Sequence, residues 1–341
     1  MPNTAPIVIL GIESSCDETA AAVLSDGSLL SNVVASQEVH RQWGGVVPEL
    51  ASRAHQEHIV PVVAQALQQA GVRCNELSAV AFTQGPGLIG ALLVGSSFAR
   101  SMAQALEVPL LAVDHVRAHV MAHFIGDGEG RAVPGFPFLN ITVSGGHTQL
   151  VAVHSPLHME VIGTTLDDAA GEAFDKGAKI LGLPYPGGPL VDRHARQGDA
   201  ERHAMPVPAV PGLDMSFSGI KTAFAERVRR MEREHPGSTS VERDHLCAAL
   251  QKGILDHLLS KARRAMRERG FRSVGVAGGV AANSALRERL LQLGQHEGWS
   301  VFIPPAVYCT DNAAMIAMAG HHLYGAGRFA GLEVVPVPRI G

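Results

Sequence analysis

Apolar residues fill positions 7–12, polar residues occupy 13–19, and an apolar run returns over 20–24 before Asp26-Gly27. Two short apolar runs around a polar tip predict a β-hairpin with hydroxyls and acids gathered at that tip. The pattern recurs about 130 residues later, where apolar runs over 138–143 and 149–153 flank Ser144-Gly145-Gly146-His147-Thr148. Between the two hairpins, residues 79–82 read as a strand leading into GPGLIG, followed by an apolar helix ending near Ala105 and a further strand over 108–113. Strands alternating with long helices predict an α/β architecture, and the repeated hairpin predicts a duplicated domain. Residues 131–137, with two prolines and a glycine, form the expected linker.

One stretch, residues 77–99, carries no charge and is long enough to span a bilayer. Gln84-Gly85-Pro86-Gly87 would break a spanning helix in its middle, so the stretch reads as strand, turn and helix in a protein core. The opening apolar run lacks a basic start and is cut by Gly11 and then acids, so a strand is expected there in place of a signal peptide. Four cysteines (Cys16, Cys74, Cys247, Cys309) without CxxC spacing give neither a disulfide framework nor a zinc knuckle, and are expected to be reduced thiols in the cytoplasm.

Composition adds two facts. Glycine is high, 37 of 341 residues, and 46% of the chain is hydrophobic, which excludes a low-complexity or collagen-like chain. The net charge of -4 conceals an uneven distribution, because residues 221–272 hold 13 basic against 7 acidic side chains. Two helices are expected there, over 221–234 and 244–269, and their charge fits either a solvated face or a phosphate-binding surface.

His115 and His119 stand at i, i+4, which on a helix places both imidazoles on one face within reach of one metal ion. His123 continues the ladder, but eight residues carry it about 12 Å along the axis, too far to share an ion with His115. A chain with 17 histidines also produces such pairs by accident, and Val116 stands where a zinc peptidase needs its general-base glutamate. GPGLIG matches a dinucleotide-binding pattern only formally, since Pro86 removes an amide that would cradle pyrophosphate, and no GxxxxGK[ST] loop occurs. The glycine turns at Gly145-Gly146, Gly187-Gly188 and Gly278-Gly279, with Asp167, Asp168, Glu172 and Asp175, fit a nucleotide site where backbone amides approach a ligand closely. Thr310 or Asp311 is placed to cap the Ala- and Met-rich helix that follows, and Asp311 is alternatively a third metal ligand.

Taken together, GIESSCDET from Gly11, GGVVPELASR from Gly44, GPGLIGALLVG from Gly85, SGGHTQL from Ser144, DDAAGEAFDK from Asp167, YPGGP from Tyr185, SFSGIKT from Ser216, AGGVAAN from Ala277 and CTDNAAMIA from Cys309 closely resemble the tRNA threonylcarbamoyladenosine transferase family (TsaD). The resemblance runs in order over nearly the entire chain. It implies an actin-like, Hsp70-like (ASKHA) α/β fold of two duplicated domains with mixed sheets flanked by helices. The first would comprise residues 1–133 plus about 311–341, the second 134–310 with a helical, tRNA-facing insertion over about 192–272.

The resemblance further implies transfer of the threonylcarbamoyl group of threonylcarbamoyl-AMP to the exocyclic amine of the adenosine 3′ of the anticodon, in tRNAs reading codons that begin with A. His115, His119 and Asp311 would hold one divalent metal, Fe2+ in first place and Zn2+ in second. Thr142, Val143, Ser144, Gly145 and Gly146 would line the carbamoyl-adenylate, with Asp175, Gly188, Asp192 and Asn283 around its ribose and base. An inactive ASKHA paralogue and a small P-loop ATPase are the implied partners, in the cytoplasm and away from membranes. One departure stands out: the family's HMEGH reads here with Val116, Arg117 and Ala118 between the histidines, which puts the surroundings of the metal or the tRNA surface in question. A small-molecule kinase or ATPase of the same fold, a metalloendopeptidase and an inactive scaffold are the competing readings, and none accounts for all the motifs.

Overall fold

The computed structural model describes residues 5–339 other than 38, 39, 41, 42, 44, 127 and 129, so Gly44, which opens the GGVVPELASR block, lies outside the described residues. In chain order it begins with β1 (Val8–Glu13), β2 (Glu18–Ser25), β3 (Ser28–Ser36), α1 (Pro48–Ala70), β4 (Ala79–Gly85), α2 (Ile89–Leu106), β5 (Leu110–Asp114) and α3 (His115–Met121). There follow β6 (Phe138–Val143), β7 (Thr148–Ser155), β8 (His158–Thr164), α4 (Ala170–Ile180), α5 (Gly188–Ala195), α6 (Ser218–Glu234), α7 (Ser238–Val241) and α8 (Arg243–Arg269). The chain ends with β9 (Ser273–Ala277), α9 (Ser284–Glu297), β10 (Ser300–Phe302), α10 (Ala306–Cys309) and α11 (Ala313–Gly325). Two compact units result, Met1–Val133 with Asp311–Gly341, and Pro134–Thr310.

Each unit holds one five-stranded sheet, in the order β3-β2-β1-β4-β5 in the first and β10-β9-β6-β7-β8 in the second. Read from the hairpin edge, the two orders are the same. In both, the central strand pairs antiparallel with its hairpin neighbour and parallel with a later strand, as β1 does with β2 and β4, and β6 with β7 and β9. The stretch 77–99 is the strand β4, a turn and the helix α2, and no helix among the described residues is long and apolar enough to cross a membrane.

Alternation along β1 fixes which side chains meet which helix. Val8, Leu10 and Ile12 join a core with Ile59, Val62 and Ala66 of α1 and Ala99 and Ala103 of α2. Successive strand residues point to opposite faces, so Ile9, Gly11 and Glu13 face the other way. There α11 packs so closely that a Cβ on Gly11 would run into the Ala313 carbonyl and the Ala317 amide, and one on Gly320 into Ala81. All six residues of β1 are buried, Glu13 included. The second unit buries Leu139, Ile141 and Val143 of β6 with Phe174 of α4, Phe224 of α6 and Leu250, Ile254 and Leu258 of α8.

Candidate functional site

In the first unit, β5 runs directly into α3. The Asp114 carboxylate accepts a hydrogen bond from the Arg117 amide (3.0 Å) and caps the helix, so His115 stands in its first turn and His119 one turn later. Their rings are edge to face, 4.7 Å apart between centroids. Both Nε2 atoms approach one oxygen, Asp311 Oδ1, at 3.5 Å from His115 and 3.2 Å from His119. Asp311 is free to meet them because Asn312, not Asp311 or Thr310, caps α11: its Oδ1 accepts from the Met315 amide at 3.1 Å.

His115, His119 and Asp311 form a group whose ligand atoms all lie within 4.8 Å of one another, and His123 is outside it. Among the described residues the buried His119 ring has no hydrogen bond of good geometry: Nδ1 has no acceptor or donor, and Nε2 has the 3.2 Å approach to Asp311 Oδ1. A buried imidazole without a well-formed hydrogen bond is costly, and a divalent cation bound by two imidazoles and a carboxylate satisfies it. The donor set therefore fits a metal ion. Val116 and Ala118 are buried while Arg117 is exposed beside Asp114, so the departure from HMEGH points its charge away from the two imidazoles.

Behind the histidines lies Glu13. It accepts from Thr83 Oγ1 at 2.7 Å and from the Ser15 amide at 2.5 Å, and His115 Nδ1 lies 3.0 Å from its Oε2. Burial works to raise its pKa, but the charge and hydrogen bond of His115 outweigh this and hold it below the usual carboxylate value. Burial works equally against a charged His115, yet Glu13 and then Asp311 lift its pKa well above the usual imidazole range. Asp311 is held well below its ordinary value, burial being outweighed by His115 and His119. Near the same hairpin tip, His55 of α1 lies 2.7 Å from Thr19 Oγ1 and 3.0 Å from the Cys16 carbonyl, which fixes the tip against the helix.

In the second unit, Thr142 and Val143 end β6, and Ser144, Gly145 and Gly146 form the turn into β7, closed by the Ser144 amide on the His147 carbonyl at 2.8 Å. The glycines divide into two kinds. A Cβ on Gly171 would strike Ser144, one on Gly187 would strike Ala178, and one on Gly278 would strike the Val143 carbonyl. A Cβ on Gly145, Gly146 or Gly279 would meet nothing within 4 Å. The first kind lets α4 and the AGG turn close on the end of β6, and the second leaves backbone accessible to a ligand.

Several predicted ligand-lining acids already have internal partners. Asp175 Oδ1 accepts from the Gly187 and Gly188 amides at 2.8 and 3.0 Å, tying the YPGGP turn to α4, and burial pushes its pKa up. Asp192 accepts from Ser284 Oγ (2.7 Å) and Arg196 (3.0 Å). Asn283 caps α9 through Leu286 and donates to Gln251 Oε1 at 2.7 Å. Asp167 accepts from the Phe217 and Ser218 amides at 2.8 and 3.2 Å, and Asp168 from Lys176 and Lys221 at 2.9 and 2.6 Å, so the DDAAGEAFDK block holds the start of α6.

A sequence model of tRNA N6-adenosine threonylcarbamoyltransferase matches residues 28–318. The protein of that description from Cytophaga hutchinsonii is 53% identical over 334 residues, 98% of this chain and 96% of that one. The one from Porphyromonas gingivalis is 50% identical over 335 residues, covering 98% of both. This chain belongs to the tRNA N6-adenosine threonylcarbamoyltransferase family. Among solved structures, full-length HypF matches 95% of this chain with 47% of its own at a TM-score of 0.62 and 12% identity. Component A of (R)-2-hydroxyglutaryl-CoA dehydratase from Acidaminococcus fermentans covers 94% of this chain with 99% of its own, at a TM-score of 0.54 and 14% identity. The fold is the ASKHA fold, α/β with two mixed sheets flanked by helices.

Two features of this family member escaped the sequence reading. Glu13 sits inside the GIESSCDET block, and its signal was the period-2 pattern that puts it on the same face as Gly11. The other is the pairing of the basic block. Arg263 and Arg267 both bind Glu297, Arg264 binds Glu268 at 2.5 Å, and Arg269 lies 3.3 Å from Glu160. The charge at the end of α8 is thus largely neutralised, by Glu297 and Glu160 from distant segments and by Glu268 one turn along the same helix.

Proposed function

We infer that the protein transfers the threonylcarbamoyl group of threonylcarbamoyl-AMP to the exocyclic amine of the adenosine 3′ of the anticodon, in tRNAs that read codons beginning with A. The observation that carries this reading is family membership over residues 28–318 together with an intact His115-His119-Asp311 group whose buried His119 ring has no hydrogen bond of good geometry. The amine nitrogen forms a bond to the carbamoyl carbon, the bond from that carbon to the phosphate oxygen breaks, AMP leaves with the electron pair, and the proton lost by the amine passes to solvent water.

His115, His119 and Asp311 would hold the metal, which we propose to be Fe2+, with Zn2+ the alternative the same donors accept. When bound, such an ion supplies Lewis acidity toward the threonylcarbamoyl oxygens. The chain's own part is positioning. Thr142, Val143, Ser144, Gly145 and Gly146 are assigned to the carbamoyl-adenylate, where the turn's amides stabilise phosphate charge. Asp175, Gly188, Asp192 and Asn283 are assigned to the ribose and base side, mostly by shaping the turns.

No covalent intermediate is proposed. Burial, then Asp17, pushes the Cys16 thiol far above its usual range, and burial lifts Cys247 to about 12 and raises Cys309, so none of these three offers a thiolate. We place the protein in the cytoplasm, acting with an inactive ASKHA paralogue and a small P-loop ATPase. The test is mass spectrometry of tRNA nucleosides from cells depleted of the protein and complemented with wild type or His119→Ala. Threonylcarbamoyladenosine should disappear on depletion and return with wild type only; its persistence in depleted cells overturns the reading.

A further inference from the structure

Neutralisation of α8 leaves the positive charge of residues 221–272 concentrated elsewhere. Lys221 is paired with Asp168, Lys252 with Asp256, and Lys261 donates to the Val210 and Gly212 carbonyls. Arg243 and Arg272, one at each end of α8, have no ion pair among the described residues, and neither do Arg227, Arg229, Arg230 and Arg233, which are grouped on α6. Among the described residues none of the four has a carboxylate within ion-pair distance, and together they line a groove of about 450 Å³ along α6. Arg229, Arg230 and Arg233 are exposed and Arg227 is half-buried. Glu226 contributes one acid to the same lining and Met205 belongs to its apolar part.

Three properties define what this groove suits. Guanidinium groups bind phosphate through paired N–H donors, and four arginines that outnumber the one acid in the lining and are not ion-paired to it keep that capacity available. Six residues of helix separate Arg227 from Arg233, about 9 Å of rise, which is too extended for one phosphate and matches a chain of them. Exposed arginines spread along a helix suit phosphate contacts, which position a nucleic acid without carrying sequence information. We propose that the α6 groove grips the phosphate backbone of the RNA substrate through Arg227, Arg229, Arg230 and Arg233. This rests on the tRNA-modifying reading above and adds to it the surface that holds the tRNA.

The test uses the full chain and an unmodified tRNA transcript whose anticodon reads a codon beginning with A, with affinity followed by fluorescence anisotropy between 50 and 200 mM KCl. Removing three phosphate contacts in Arg229→Gln/Arg230→Gln/Arg233→Gln should flatten the slope of log affinity against log salt by about 2 to 3, and weaken binding at 100 mM by at least tenfold. Glutamine keeps helix propensity, so the circular-dichroism melt should be unchanged. The matching triple lysine variant should keep most of the slope. Arg264→Gln/Arg267→Gln, whose guanidiniums bind Glu268 and Glu297, should stay within about twofold of wild type. If wild type binds and the triple glutamine variant binds equally with the same slope, the groove is not the RNA site, and an acidic protein surface becomes its partner. If wild type itself shows no salt-dependent affinity for tRNA, this proposal and the reading beneath it fall together.

Discussion

Glu13 and His115, 102 positions apart in the chain, are joined by a buried contact of 3.0 Å between Glu13 Oε2 and His115 Nδ1. An ionised carboxylate only accepts, so Nδ1 carries the proton and Nε2 is the nitrogen directed at Asp311. A carboxylate behind a histidine in this way fixes the ring's tautomer and orientation and raises its basicity toward a metal.

Glu13→Gln removes the charge while keeping the shape. Zinc or iron affinity, measured by competition with a chromogenic chelator, should fall about 10- to 100-fold. Glu13→Ala should also lose stability, because the buried Ser15 amide loses its acceptor, at about 1–3 kcal/mol, and the Thr83 hydroxyl keeps only the longer 3.5 Å approach to the Ile12 carbonyl. Unchanged metal affinity in the glutamine variant would show that Glu13 does not act through His115.

The same cluster sets a pH dependence. His115 has its folded pKa raised well above 6.5, so in metal-free protein its stabilising contribution is complete below 6.5 and is lost as pH rises through the folded value. Asp311 is lowered well below 3.8, so its contribution is present above 3.8 and is lost as pH falls through the folded value. The metal-free chain therefore draws most from this cluster between those limits. Metal binding must displace the His115 proton, so affinity rises with pH. The gain in Tm on adding metal to chelator-treated protein should grow from pH 6 to pH 9, and a gain that shrinks over that range contradicts the assignment.

How much of this was readable beforehand follows from range. Both hairpins were visible because alternating and continuous apolar runs are local signals, and β1 with β2 and β6 with β7 pair as the runs require. The His115-His119 pair was visible because one helical turn separates the two. Asp311 remained open between cap and ligand until Asn312 proved to be the cap. Glu13 was missed because its partners arrive from β4 and α3, and the pairing of Arg263 and Arg267 was missed because Glu297 lies beyond β9 on α9. Such contacts have no signature in one segment.

Asn312→Ala tests the link between cap and ligand. Losing the bond to the Met315 amide should destabilise the protein by about 1 kcal/mol, read from denaturant midpoints. Because Asp311 immediately precedes the cap, fraying of the first turn of α11 should also weaken metal binding several-fold. Serine at 312, which keeps a capping oxygen, should recover most of both losses.

The two kinds of glycine give opposite expectations. Gly278 has φ +94, and its Cβ would collide with the Val143 carbonyl, so Gly278→Ala is both strained and overpacked. It should cost roughly 2–4 kcal/mol of stability. Gly145 is surrounded by open space, so Gly145→Ala should change stability by less than about 1 kcal/mol. If the turn's amides meet the adenylate, the added methyl stands where the ligand approaches, and affinity for a non-hydrolysable threonylcarbamoyl-adenylate analogue should drop at least tenfold by calorimetry. A Gly145→Ala protein that binds the analogue as wild type does, with its fold intact, would remove the SGG turn from the donor site.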